Sequence, residues 1–114
     1  MLNSALRLSP RGETAARVRA QIAMSYYFER DYPAALTAAQ QAIAEHPHHP
    51  WAHRWLAASL GQLGHVQEAT AALQKAIKVS PESFRFFATV LRPYERPEDH
   101  QHMLDGFHKA GWQG

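Results

Sequence analysis

The chain has no cysteine among its 114 residues. Disulfides and thiolate zinc sites are therefore excluded, and a reducing, cytoplasmic setting is expected. Neither sign of charge dominates: 12 Lys+Arg stand against 10 Asp+Glu, a formal net charge of +2. With that balance and no Lys/Arg run, nucleic acid is not expected as a direct partner. No apolar stretch reaches the roughly 18 residues that would suggest a membrane-spanning helix. Residues 1–11 lack the continuous apolar core of a signal peptide. There is no Gly-x-Ser-x-Gly and no phosphate-cradling glycine loop, so no catalysis and no cofactor are expected. Glu98-Asp99 reads as a dipole partner at a helix start rather than an acid–base pair. The length suits one domain and is too short for a TIM barrel.

What the chain has in excess is alanine, its commonest residue. Alanine is the best helix former and lets helices approach closely. The alanines recur. Ala23 and Ala57, Ala35 and Ala69, and Ala42 and Ala76 are pairs with one and the same separation along the chain. Ile43 and Ile77, Pro47 and Pro81, Ile22 and Leu56, and Tyr26 and Leu60 share that offset. Nothing alternates with period two over a useful length, so no strands are expected. Six helices are predicted, at 12–30, 33–45, 49–63, 66–79, 82–91 and 97–110. Prolines at or near the first turns supply start signals. Met103, Leu104, Phe107 and Ala110 share one face of the last helix, which reads as an amphipathic cap over the open end of a stack.

The shared offset is a period of about 34 residues, and with these small residues in a helix–turn–helix unit it resembles the tetratricopeptide repeat. Residues 50–83 carry the resemblance best, with Ala57, Gly64, Ala69, Leu73, Ala76 and Pro81. Residues 16–49 form a second unit and depart from the pattern twice. Arg30 stands where glycine usually closes the first helix, and Gln40 stands where an aromatic is usual. Residues 1–15 read as the tail of a preceding repeat plus linker. Residues 84–114 read as a partial repeat and a capping helix, all within one domain of residues 1–114. The resemblance implies an all-α, right-handed α-α superhelix (a TPR solenoid) with a concave groove lined by first helices. Carried over by position, the groove residues are Arg17, Ala20, Met24, Tyr27 and Phe28, then Trp51, Arg54, Ala58, Gly61 and Gln62, then Arg85 and Ala88. As a partner-binding surface they are led by Arg17, Met24, Tyr27, Phe28, Trp51, Arg54, Gln62 and Arg85. Aromatic residues and arginine are common hot-spot types, and methionine adapts to varied partners. The competing reading is that Tyr27, Phe28 and Trp51 simply pack between repeats.

Four histidines, His46, His48, His49 and His53, fall within eight residues. His49 and His53 have a chelating i, i+4 spacing. There is no His-Glu-x-x-His, and the segment is an inter-repeat turn, so these are read as solvent-exposed turn residues, with no metal site. His100, His102 and His108 are assigned to the wet face of the last helix. A cluster of Phe84, Phe86 and Phe87 with Trp112 is read as exposed and suited to self-association.

The run Trp55-Leu56-Ala57-Ala58-Ser59-Leu60-Gly61-Gln62-Leu63-Gly64, with Arg96-Pro97-Glu98-Asp99 and Met103 to Gly111, resembles the C-terminal repeat modules of bacterial class III adenylate/guanylate cyclase-like proteins. That resemblance spans about residues 45–114. It implies a parent with a cyclase or winged-helix domain upstream, and none of the cyclase catalytic residues has a counterpart here. The expected function is a docking or regulatory module. It would hold a protein or peptide, or the parent's own upstream domain, in the groove. The alternative is a homo-oligomerisation module that brings parent domains together as a homodimer.

Overall fold

The computed structural model describes residues 13–89 and 96–113. The expected tail of a preceding repeat lies outside the described residues, as do Pro93 and the end of the predicted fifth helix. Among the described residues there are six helices and no strand. They are α1 (Glu13–Phe28), α2 (Tyr32–Glu45), α3 (Pro50–Leu63), α4 (Val66–Val79), α5 (Pro81–Thr89) and α6 (Pro97–Lys109). The expected boundaries differ from these by one or two residues, the usual reach of fraying helix ends.

The helix ends show why these residues stop where they do. At the close of α3, Gly64 takes φ 83°, its N–H bonds the Gly61 carbonyl at 3.1 Å, and the His65 N–H bonds the Leu60 carbonyl at 3.0 Å. This is a Schellman closure, which satisfies carbonyls the helix leaves free. The same closure stands one repeat earlier. Arg30 takes φ 65°, its N–H bonds Tyr27 at 3.0 Å, and the Asp31 N–H bonds Tyr26 at 2.9 Å. The left-handed turn therefore forms at Arg30 without a glycine. The Asp31 side chain then accepts from the Ala34 N–H at 3.3 Å and caps α2, with proline in the first turn.

The repeated small residues are where the helices meet. Ala23, Ala35, Ala42, Ala57 and Ala69 have no exposure, and Ala76 has almost none. Trp55, Leu60, Leu73 and Tyr27 share one core with all of these but Ala42, which clusters with Ala16, Ala52 and Ile43. The expectation for Gln40 is corrected: it is exposed, and the residue one repeat before Leu73 is the wholly buried Ala39. α1 and α2 are further joined by an Arg19–Glu45 ion pair, with Arg19 also donating to the Gln41 side chain at 3.2 Å.

α6 contacts both helices of the last full pair: Gly106 lies against Ala58 of α3, and the Thr70 hydroxyl of α4 donates to the Ala110 carbonyl at 2.9 Å. It also crosses the first-helix face. His102 meets Tyr27 of α1, Gly106 meets Ala58 of α3, and Phe107 meets Phe84 of α5. Its buried stripe is His102, Met103, Gly106, Phe107 and, just past its end, Ala110. That is an i, i+1, i+4, i+5, i+8 pattern, one continuous helix face.

Candidate binding groove

Of the ten positions assigned to the groove in the first two units, five are in contact with α6 or lie beneath it. Tyr27 is wholly buried and makes the central contact. Its ring stacks on the His102 ring at 4.4 Å between centroids. Its hydroxyl donates to the His102 main-chain carbonyl at 2.5 Å and accepts from the Gln62 side-chain amide at 3.1 Å. The Gln62 oxygen in turn accepts from the Lys109 ammonium at 2.8 Å. A chain of hydrogen bonds thus runs from the rim of α6 through α3 to the floor and back to α6. Burial holds the Tyr27 phenol well above its ordinary range, so it acts as a neutral donor and acceptor.

Phe28 is half-buried, with its ring edge-on to Trp55 and to His102. Ala58 and Gly61 form the floor. A Cβ built on Gly61 would stand 2.5 Å from the Gly106 carbonyl oxygen and 3.1 Å from the Ala110 nitrogen. A Cβ on Gly106 would stand 2.9 Å from Ala58 Cβ and 3.0 Å from its Cα, and would overlap the Tyr27 hydroxyl. Two glycines on different helices therefore permit backbone to approach backbone.

The remaining assigned residues divide. Ala20 and Ala88 are buried. Arg54 is 2% exposed, with its guanidinium 4.0 Å from the centre of the Phe87 ring. It binds α3 to α5 rather than offering a free cation to a partner. Arg17 and Arg85 are exposed, and Met24 and Trp51 are half-buried. Met24 lies in a shallow depression with Ile22, Ser25 and Tyr26 on α1. Trp51 packs edge-on to the His49 ring at 5.4 Å.

Three readings from the sequence are corrected by burial. His49 and His53 are not solvent-exposed: each is 5% exposed. His53 Nε2–H donates to the Pro47 carbonyl at 2.5 Å, closing the inter-repeat turn. Burial pushes the His53 imidazole below its ordinary pKa, with the Pro47 carbonyl opposing. Among the described residues no group of three or more His, Asp or Glu side chains is placed to hold a metal ion. His102 is not on a wet face. It lies under Tyr27 with Nε2 2.8 Å from the Tyr32 hydroxyl, and burial, then the charge of Arg30, hold its pKa low. The phenylalanine cluster is not exposed as a group. Phe84 is buried against Phe107 and Trp112, Phe87 lies under Arg54, and Phe86 alone of the three is exposed, at 47%.

Sequence reasoning missed His102 and Gly106 as groove partners. The signal was present: both fall on the stripe of Met103, Phe107 and Ala110. A histidine and a glycine carry no apolar weight, so a search for apolar periodicity passes over them.

Paired helices with a repeated left-handed closure define a helical-repeat protein. A family model described as tetratricopeptide repeat matches residues 29–89, more than half of the chain. The chain belongs to the tetratricopeptide-repeat family, whose repeats are non-catalytic modules that mediate protein–protein interaction. No curated protein and no solved structure gives a significant match. No helix among the described residues is long and apolar enough to cross a membrane.

Proposed function

We propose that the first-helix face is a docking surface for a segment of a partner protein or of the parent's own upstream domain. The observation that carries this reading is the seating of α6: positions Tyr27, Ala58, Gly61 and Gln62 already hold a helix. Of the other assigned positions, Arg17 and Arg85 are exposed and Met24 and Trp51 half-buried. Together they combine an adaptable thioether, an aromatic and two exposed cations, a set suited to an apolar segment with acidic flanks. The resemblance of residues 45–114 to cyclase-associated repeat modules supports a cytoplasmic bacterial signalling protein as the parent, either cyclase-like or a transcriptional regulator. In that setting the module would position or regulate the upstream domain.

The test is a double substitution, Met24→Glu with Trp51→Glu, in the full chain. Capture of a crosslinked partner, or of the parent's upstream domain, is expected to fall at least about tenfold, the effect of losing one hot spot. Unchanged capture refutes the reading. Homo-oligomerisation rests on the exposed Phe86 and is separated by light scattering, where a strict monomer at high concentration removes it.

A further inference from the structure

We propose that the cleft between the α1–α2 turn and one side of α6 is a binding site for a small anion, a phosphate or a carboxylate, held by Arg30 and Lys109. The cleft has a volume of about 600 Å³. Its walls come from three parts of the chain: Arg30 in the turn, Gln62 in the last turn of α3, and α6 from Pro97 to Lys109. Of these only Gln62 belongs to the groove positions, so the site does not depend on the docking surface. At Arg30 cost and return do not match. It stands at φ 65°, in a closure that Gly64 makes freely one repeat later. A positive φ disfavours a side chain with a Cβ, so arginine makes this turn less stable than glycine would. The guanidinium does not repay that cost within the protein: among the described residues it makes no ion pair and no side-chain hydrogen bond. Its charge at the C-terminal end of α1 recovers part of the cost through the helix dipole, as any cation there would. Strain that the fold does not need marks a residue kept for a ligand.

Lys109 is the second cation. Its ammonium donates to the Gln62 side-chain oxygen at 2.8 Å, a neutral partner that leaves the charge uncompensated and two donors unused. The charges of Arg30 and Lys109 both bear on the His102 ring in the cleft wall, so cations from separate elements converge on one side chain. The two carboxylates of the cleft are engaged elsewhere. Asp105 accepts from the Gln101 amide at 2.9 Å, and Glu98 accepts from Arg96 at 3.3 Å. Neither forms an ion pair with Arg30 or Lys109, and each keeps further acceptor capacity. The ligand's chemistry follows. An anionic group meets the guanidinium and the ammonium, on a small body that carries hydroxyl or ammonium donors for the carboxylates. A guanidinium takes carboxylate or phosphate oxygens in pairs, which makes Arg30 the primary contact. Apart from Pro97 the lining is polar or charged, so an apolar ligand is not served.

The test titrates the full chain with inorganic phosphate and, separately, with malate, at constant ionic strength. Binding is followed by calorimetry and by NMR of the Arg30 Nε–H and the His102 ring. Saturable shifts at both residues are expected with at least one of the two anions, and the one that saturates at lower concentration identifies the ligand group as phosphate or carboxylate. Arg30→Gly is the sharpest variant, because it removes the guanidinium from a turn that glycine forms more readily, and the fold is retained. Its affinity for the anion is expected to be at least about tenfold weaker than wild type, and that of Lys109→Gln weaker by a similar factor. Arg17→Gln removes an exposed cation outside the cleft and is expected to leave the affinity unchanged. Shifts that grow without saturating for both anions overturn the proposal, as does equal affinity in wild type and Arg30→Gly. An equal loss in Arg17→Gln shows a response to the overall charge of the chain and overturns the site as well.

Discussion

Arg30 takes φ 65° where its counterpart in the next repeat, Gly64, takes φ 83°. Two turns of the same geometry thus rest on different residues, and one of them is strained. A side chain in the left-handed region costs roughly 1–2 kcal/mol, part of which glycine forfeits through the freedom of its unfolded state. Arg30→Gly is therefore expected to stabilise the chain by about 0.5–1 kcal/mol, read as a raised urea midpoint with an unchanged slope. Histidine supplies the second residue-scale effect. His53 and His102 both have pKa values lowered by burial. The unfolded chain then binds protons more readily than the folded one. Their contribution is intact above the ordinary imidazole pKa of about 6.5 and is lost as pH falls from there toward the folded values. Stability is expected to drop as pH falls below about 6.5, and a His53→Gln/His102→Gln chain is expected to show a flatter profile. A profile as steep as wild type would place the titration elsewhere.

At the scale of elements, the repeated helices follow from local rules. Proline stands in the first turn of α2 and α3, Schellman turns end α1 and α3, and alanines at one offset set the contacts. The proline starts, the Gly64 closure and the alanine period were legible in the sequence, because each depends on neighbours within a few residues or on an exact period; the closure at Arg30 was not, because the residue there is not glycine. Gly61 shows where local rules stop. In an isolated helix, Gly61→Ala would stabilise by about 1 kcal/mol. Here the new Cβ would stand 2.5 Å from the Gly106 carbonyl oxygen, a main-chain atom that cannot swing aside. The substitution is expected to loosen α6 selectively. Amide exchange across residues 97–109 should quicken at least about tenfold while α2 and α4 keep their protection. Undisturbed α6 exchange would show that the helices separate at no cost.

For the whole molecule, α6 changes the kind of object this is. In a solenoid each repeat touches its neighbours, and stability is close to a sum over adjacent terms. α6 touches α1 through Tyr27, α3 through Gly61 and α5 through Phe84 at once, so it couples pairs that are not adjacent in sequence. Phe107 has no exposure at the centre of that bridge. Phe107→Ala is expected to cost about 3–5 kcal/mol and to lower the van't Hoff enthalpy below the calorimetric one, as the joined pairs begin to melt separately. A two-state transition of unchanged cooperativity would refute the bridging role.

The groove residues divide along the same line. Arg17 and Arg85 stand exposed. Tyr27 and Gln62 are engaged by the last helix of the chain, far from both in sequence, and Arg54 is covered by Phe87. An amphipathic stripe states that a helix buries a face and does not state against which surface. The period, the all-helical class, the turn positions and the alanine contacts were determined by sequence alone, because they rest on short-range sterics and a fixed repeat. The course of α6, the burial of His102 and His53, and the half-occupied groove were decided only by tertiary structure, because they arise from matching two distant surfaces whose shapes exist only after each has folded.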